Sequence, residues 1–285
     1  MDKKPFIFVL TFQCLDRQGI VARISDFILK HNGNIITADQ YSTSPEAGDF
    51  FTRIEFYLPD SVCSRKALEE DFIPVAREFN ANWRIHDKSI KLKMGIFTSR
   101  LDHCLADLLY LWKTGDLDVE IPFVASNYAA NKELVEQYKI PFYFIPAVKE
   151  NTRESELLAL AKSRADFLVL ARYMLVLSAD FLSDYAKDII NIHHGFLPSF
   201  KGARPYKQAF SQGVKVIGAT AHFVTGKLDE GPIIAQVVEG VTHRDDICSL
   251  IRKGKNLEKL ALARAIGNYV DYRVFTHNNK TIIFE

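Results

Sequence analysis

Ile189-Ile190-Asn191-Ile192-His193-His194-Gly195-Phe196-Leu197-Pro198-Ser199-Phe200-Lys201-Gly202 carries a short apolar strand straight into a crowded polar turn. Strand side chains alternate between faces, so Asn191 and His193 share one face at the strand's end. In an open α/β sheet, ligands bind outside the carboxyl ends of the strands. Asn supplies two N–H donors, and His gives or takes a proton near neutral pH. Histidines in a turn are ordinarily turn and cap residues. An Asn-x-His at a strand end in so polar a setting favours a functional reading.

Outward from this stretch, short apolar runs alternate with helical patterns, as a parallel sheet covered on both faces requires. Strands are predicted at 93–97, 121–126, 142–145, 167–171, 189–193, 216–224 and 233–238. Helices are predicted at 104–113, 132–138, 155–164, 179–185 and 204–212, with a mostly helical tail at 245–268 and a small hairpin around Asn278-Asn279. Upstream, residues 6–12 (FIFVLTF) read as a strand. Ile20, Val21, Ile24, Phe27 and Ile28 fall at helical spacing, and His31-Asn32-Gly33 reads as a helix end. Strands at 34–43 and 50–58 flank the turn Ser44-Pro45-Glu46-Ala47-Gly48, and a second helix at 64–79 precedes a last strand at 82–86. The order βαββαβ is the ferredoxin-like split arrangement. The expectation is an α/β protein: a ferredoxin-like βαββαβ domain over residues 1–86, a charged linker at 87–91, and a doubly wound, mostly parallel Rossmann-like domain over 92–285.

With 285 residues, 48% hydrophobic and 25% charged, the chain has material for about two globular domains. Its 36 Lys and Arg against 35 Asp and Glu leave a net charge of +1, with no electrostatic footprint for nucleic acid or an anionic membrane. No apolar run reaches the roughly 20 residues a bilayer span needs. The start, MDKKPFIFVLTFQCLDRQGI, carries Asp2 and no small-residue cleavage site, so it reads as a strand and not a signal peptide. Cys14, Cys63, Cys104 and Cys248 show no paired spacing and read as reduced thiols of a cytoplasmic protein.

A second cluster is Gly218-Ala219-Thr220-Ala221-His222-Phe223-Val224, followed by Leu228-Asp229-Glu230-Gly231. Thr220 and His222 share a strand face. Asp229 by itself is an ordinary turn aspartate; beside Asn191 and His193 it is a carboxylate able to orient an imidazole and handle a proton. His103-Cys104 and the histidine pair invite a zinc reading, but no C-x-x-C, H-E-x-x-H or other paired ligand spacing is present, so no metal is expected. The turn Thr98-Ser99-Arg100-Leu101-Asp102-His103 has no glycine and makes a poor phosphate loop.

These motifs resemble those of the folate-dependent formyltransferases: Asn191-Ile192-His193 at a strand end, Leu197 to Gly202, Gly218 to Val224, and Asp229 in a D-x-G turn 36 residues after His193. Within that group the chain is most similar to the formyltetrahydrofolate deformylases, through Ile189–His194, Gly202-Ala203-Arg204-Pro205-Tyr206, His103-Cys104-Leu105-x-Asp107-Leu108-Leu109 and the tail at Arg273-Val274-Phe275. The first 86 residues resemble an ACT domain, with Asp16-Arg17-x-Gly19-Ile20-Val21 as its loop. One position departs: Gly195 stands where formyltransferases usually carry Ser, a change peripheral to the expected catalytic set.

The resemblance implies hydrolysis of 10-formyltetrahydrofolate to formate and tetrahydrofolate, supplying formate for purine synthesis and balancing the one-carbon pool. It implies Asn191, His193 and Asp229 as the catalytic set, and folate contacts at Tyr173, Met174, Leu175, Leu177, Thr220 and His222. The folate is the substrate, and no permanently bound cofactor is expected. Two other readings stand beside it. One is a transferase passing the formyl group to glycinamide ribonucleotide, against which the glycine-free Thr98–His103 turn counts. The other is a non-catalytic amino-acid sensor, against which the intact catalytic set counts. Transfer to methionyl-tRNA would call for a basic surface and a further C-terminal domain. An ACT-like domain implies a homo-oligomer, dimer or tetramer. It acts either as a structural pairing module or as an effector site for glycine or methionine at Asp16, Gly19, Ile20 and Val21.

Overall fold

A computed structural model describes residues 6–44, 46–59, 64–199 and 205–285. The chain forms two compact units, one reaching Lys91 and including Phe284–Glu285, the other Leu92–Ile283.

The first unit comprises β1 (Phe6–Leu15), α1 (Ile20–Lys30), β2 (Asn34–Ser42), β3 (Asp49–Leu58), α2 (Arg65–Phe79) and β4 (Asn82–Asp87). Its sheet runs β2-β3-β1-β4, antiparallel throughout, which is the ferredoxin-like arrangement. β1 outruns the predicted 6–12 because β3 pairs with it as far as Leu15↔Asp49. Phe8, Leu10, Phe12, Ile54 and Phe56 on one sheet face pack against Ile24 and Phe27 of α1 and Phe72 of α2. Phe72 meets Phe12, Phe27 and Trp83 edge-on, at 6.1, 4.9 and 4.9 Å between ring centres. Gly19, at φ 91°, makes the left-handed turn into α1, and the Ser64 hydroxyl accepts from Ala67 N–H at the start of α2. Pro45 and Cys63 lie outside the described residues.

The second unit begins with β5 (Leu92–Thr98), α3 (His103–Thr114), β6 (Val119–Glu120), β7 (Val124–Ser126), α4 (Lys132–Gln137), β8 (Phe142–Phe144), α5 (Glu154–Arg164) and β9 (Phe167–Ala171). It continues with α6 (Ala179–Tyr185), β10 (Ile189–His193), α7 (Pro205–Gln212), β11 (Val216–Phe223), β12 (Ile233–Gly240), α8 (Ile247–Val270), β13 (Val274–His277) and β14 (Lys280–Ile283). The main sheet runs β12-β11-β10-β9-β5-β7-β8, with β6 paired to β5. From β8 to β10 the pairing is parallel; β11 and β12 run antiparallel, so the sheet is mixed at one edge. Helices cover both faces. Leu105 and Leu108 of α3 and Leu257 and Leu262 of α8 pack on Ile96, Val169 and Ile190. Leu157 of α5 and Phe181 of α6 pack on Phe97, Leu168 and Leu170.

The predicted strand 121–126 shortens to Val124–Ser126, while Val119–Glu120 pairs with β5 separately. Pro122 stands between them and has no N–H for a ladder. The helix expected at 204–212 is described from Pro205; Lys201, Gly202, Ala203 and Arg204 lie outside the described residues. The strand order reverses between β5 and β9, so a crevice opens outside their carboxyl ends, next to the end of β10. No helix among the described residues is long and apolar enough to cross a membrane.

Candidate active site

Antiparallel pairing of β10 with β11 sets Asn191 opposite His222 and His193 opposite Thr220. After β11 the chain turns and returns as β12. Gly231 permits this: a Cβ there would run into the Phe223 carbonyl, beside the bond from Phe223 N–H to Pro232 O at 2.9 Å. The turn carries Asp229, at φ 55°, back to the strand ends. There its Oδ2 lies 3.2 Å from His193 Nδ1 and its Oδ1 3.6 Å from His222 Nε2.

The network fixes the proton positions. The Phe223 carbonyl only accepts, so His222 Nδ1–H donates to it at 2.8 Å. His222 Nε2 then accepts from Asn191 Nδ2–H at 3.2 Å, and the amide's other N–H stays available. Burial acts to raise the Asp229 carboxyl, but the hydrogen bond from His193 leads the opposing effects, which hold the group well below the usual carboxylate range. The ionised Asp229 accepts a hydrogen bond from His193 Nδ1–H at 3.2 Å. His193 Nε2 is buried and has no hydrogen-bond partner among the described residues.

These groups line one end of a cavity of about 460 Å³. Tyr173, Met174, Leu175, Val176 and Leu177 form an apolar wall, and the turn from Val224 to Asp229 closes another side, with Lys149 and Lys227 also lining it. The apolar segment is anchored by groups that sequence reasoning did not single out. Ser99 Oγ accepts from Met174 N–H at 3.1 Å and donates to Asn127 Oδ1 at 2.7 Å, and Asn131 Nδ2 donates to the Ser99 carbonyl at 2.9 Å.

Of the residues expected from sequence, Asn191, His193, Asp229, Tyr173, Met174, Leu175, Leu177 and His222 all line this cavity. Thr220 does not. Its hydroxyl donates to Gly195 O at 2.9 Å and accepts from Leu197 N–H and Gln236 Nε2 at 3.1 Å, which fixes the loop that follows His193. Asp16, Gly19, Ile20 and Val21 sit in the first unit. There Asp16 N–H donates to Gly48 O at 2.8 Å, Ile20 is buried and Val21 exposed. Arg17 donates to the Glu78 carbonyl and lies over the Phe79 ring at 4.5 Å.

A second polar group stands behind the first. Glu258 of α8, 2% exposed, receives His103 Nε2 and the Tyr206 hydroxyl, each at 2.8 Å, with Arg172 Nε at 3.4 Å. Burial pushes its carboxyl up, yet His103 and Arg172 together hold it below the ordinary value. Its sequence signal is a carboxylate on the apolar stripe that runs through Leu250, Leu257, Ala261 and Leu262. Donor atoms of His103, Cys104 and Glu258 lie within 4.8 Å of one another. Burial keeps the Cys104 thiol protonated, and the guanidinium already faces the carboxylate, so the set is ill suited to a cation.

Residues 92–266 match the formyl transferase family. Formyltetrahydrofolate deformylase of Bacillus subtilis is 45% identical, covering 96% of this chain and 93% of the relative. Formyltetrahydrofolate deformylase 1, mitochondrial, of Arabidopsis thaliana is 46% identical, covering 97% and 88%. A crystal structure of a formyltetrahydrofolate deformylase from Pseudomonas syringae superposes with a TM-score of 0.94 at 43% identity, covering 98% of this chain and 95% of that one. Glycinamide ribonucleotide transformylase 1 from Symbiobacterium toebii is more distant, with a TM-score of 0.65 at 25% identity over 70% of this chain. On this similarity, which runs across both units, the chain belongs to the formyltetrahydrofolate deformylase family.

Proposed function

We propose that this chain hydrolyses 10-formyltetrahydrofolate to formate and tetrahydrofolate, with Asn191, His193 and Asp229 as its catalytic set. One observation carries the reading: an ionised Asp229 held between His193 and His222 at the polar end of an apolar cavity. Water attacks the formyl carbon and a tetrahedral oxyanion forms. The free Asn191 N–H and a protonated His193 donate to that oxygen; a preorganised donor of this kind is worth about 10²–10³ in rate. Asp229 holds His193 and passes a water proton towards N10, the leaving nitrogen, and such acid–base help adds roughly 10²–10⁴. His222 positions the Asn191 amide, and Thr220 positions the loop after His193. The pterin lies along Tyr173–Leu177, where backbone groups meet its ring edge. The reading assigns no step to a metal or a resident cofactor. Transfer to glycinamide ribonucleotide is disfavoured by the glycine-free turn after β5, which offers no phosphate cradle.

The first unit, in this reading, is an ACT-like module that joins copies of the chain into a dimer or tetramer. Its edge strand β2 leaves Ile36 and Tyr41 about half exposed, and an unpaired edge is a template for a second strand. Glycine or methionine binds at Asp16–Val21, where α1 presents its N-terminal end. Cys14, Cys104 and Cys248 are free thiols, in keeping with a cytoplasmic enzyme that supplies formate for purine synthesis. The test is formate release from 10-formyltetrahydrofolate by wild type and His193→Ala. The wild type releases formate and tetrahydrofolate one to one, and a folded His193→Ala protein does so at a small fraction of that rate. A folded His193→Ala protein with near-normal turnover removes His193 from the mechanism.

A further inference from the structure

Glu258 does not line the folate cavity, and no step of the hydrolysis uses it. It nevertheless gathers partners from three segments that border the site: His103 at the start of α3, Tyr206 at the start of α7, and Arg172 directly after β9. We infer that Glu258 is a positioning residue for the folate: by holding the Arg172 guanidinium it sets the path of Tyr173–Leu177, the wall along which the folate lies. The inference rests on the hydrolytic reading above and on the place that reading gives the folate.

A carboxylate on an apolar helix stripe asks for a reason other than stability. An ion pair taken out of water recovers little beyond its desolvation cost, and apolar side chains of similar volume often do as well or better. Glu258 and Arg172 are both buried. They line a cavity of about 320 Å³ whose other walls include Leu101, Met174 and Ile251. A buried pair is little screened by salt or water, so the attraction between them acts at nearly full strength. Arg172 Nε lies 3.4 Å from Glu258 Oε2. The Tyr206 hydroxyl donates to Oε1 and His103 Nε2 lies on Oε2, each at 2.8 Å, and they fix the carboxylate while it fixes the guanidinium.

Arg172 is the residue at which a fixed side chain has most effect on the wall. Its backbone stands at φ 63°, in the left-handed region that a non-glycine residue keeps only where its surroundings over-determine it. Its N–H turns back to Leu170 O at 3.1 Å, and Tyr173 comes next. The chain thus leaves the direction of β9 at Arg172, and the wall follows from that turn. Two residues on, Ser99 Oγ accepts from Met174 N–H at 3.1 Å. The wall is tied at Met174 through its backbone and at Arg172 through its side chain. Without Glu258 the second tie is lost and the wall holds its binding path for only part of the time. Affinity falls by that fraction. Asn191, His193 and Asp229 keep their own contacts on β10 and the turn before β12, so the chemical step is spared.

The test is a double-mutant cycle on the full-length enzyme with Glu258→Gln, Arg172→Gln and the pair. It is read as kcat and KM for 10-formyltetrahydrofolate and as Kd for tetrahydrofolate by calorimetry, with circular dichroism to check the fold. Glu258→Gln raises KM and Kd together by about tenfold, the loss of one charge-assisted contact, and keeps kcat within about twofold of wild type. In the Arg172→Gln background the same change adds less than about twofold, because Glu258 acts through Arg172. A merely structural role lowers the folded fraction, and with it the apparent kcat, and leaves KM and Kd where they were. That result, or an equal loss in both backgrounds, overturns the inference. If Glu258→Gln does not fold, Arg172→Gln decides: its KM and Kd rise with kcat kept, and an unchanged Kd overturns the inference. Wild type that binds tetrahydrofolate without turnover counts against the hydrolytic reading and not against the positioning role.

Discussion

Asp229 draws its two imidazole partners from neighbouring strands, His193 from β10 and His222 from β11. Asn191→Ala, His193→Ala and Asp229→Ala should each lower turnover by about 10²–10³ or more with the fold intact, as steady-state kinetics and circular dichroism would check. Combining them should cost far less than the product of the single losses, because the three act on one developing charge. The same carboxylate has a signature in stability. Its folded pKa is depressed, so its contribution is fully present above the unfolded value of about 3.9 and is lost as pH falls through the folded one. Denaturant midpoints of wild type and Asp229→Asn should therefore differ at neutral pH and converge in acid. His194 gives a second window. Its folded pKa of about 3 lies below the ordinary value, so the unfolded chain binds the extra proton between about 6.5 and 3 and stability falls with pH across that range. His194→Gln should flatten the acid limb of the midpoint-against-pH curve there.

At the scale of elements, α8 approaches Tyr206 so closely that a Cβ on Gly254 would run into the ring. Ala ordinarily improves on Gly inside a helix by about 1 kcal/mol. Here Gly254→Ala should instead destabilise by about 1–3 kcal/mol, as overpacking does, because Tyr206 must shift and with it the hydroxyl on Glu258. Urea denaturation reads the sign. β9 and β10 form over the same residues that the sequence predicts, since a mostly apolar run of five residues is too short for a helix and fits a buried strand. Asn191 and His193, proposed as catalytic, are readable because a strand end fixes which side chains share a face, whereas Asp229 comes from the turn between β11 and β12. Other features depend on partners remote in sequence. The antiparallel setting of β11 and β12 is one of them, since it shows only in their pairing with β10 and with each other. Ser99, Asn127 and Asn131 acquire their role only when the loops after β5 and β7 meet the segment after β9. Glu258 sits on an apolar helix stripe, and nothing local says that His103, Arg172 and Tyr206 will meet it.

For the molecule as a whole, the ACT-like unit predicts an effector response. Calorimetry with glycine and methionine should give heat from one of them, and Gly19→Val should abolish it. A Cβ at Gly19 meets nothing within 4 Å, so the substitution acts through the φ of 91°, which valine resists. No heat from either ligand, with activity unchanged, would leave the unit a structural pairing module. The acceptor of the formyl group is what separates a hydrolase from a transferase on this fold. The most direct test is turnover in oxygen-18-labelled water, with glycinamide ribonucleotide present. Hydrolysis yields formate carrying one oxygen from the solvent and leaves the ribonucleotide unformylated; formyl transfer to the ribonucleotide, or formate without label, would contradict water as the acceptor.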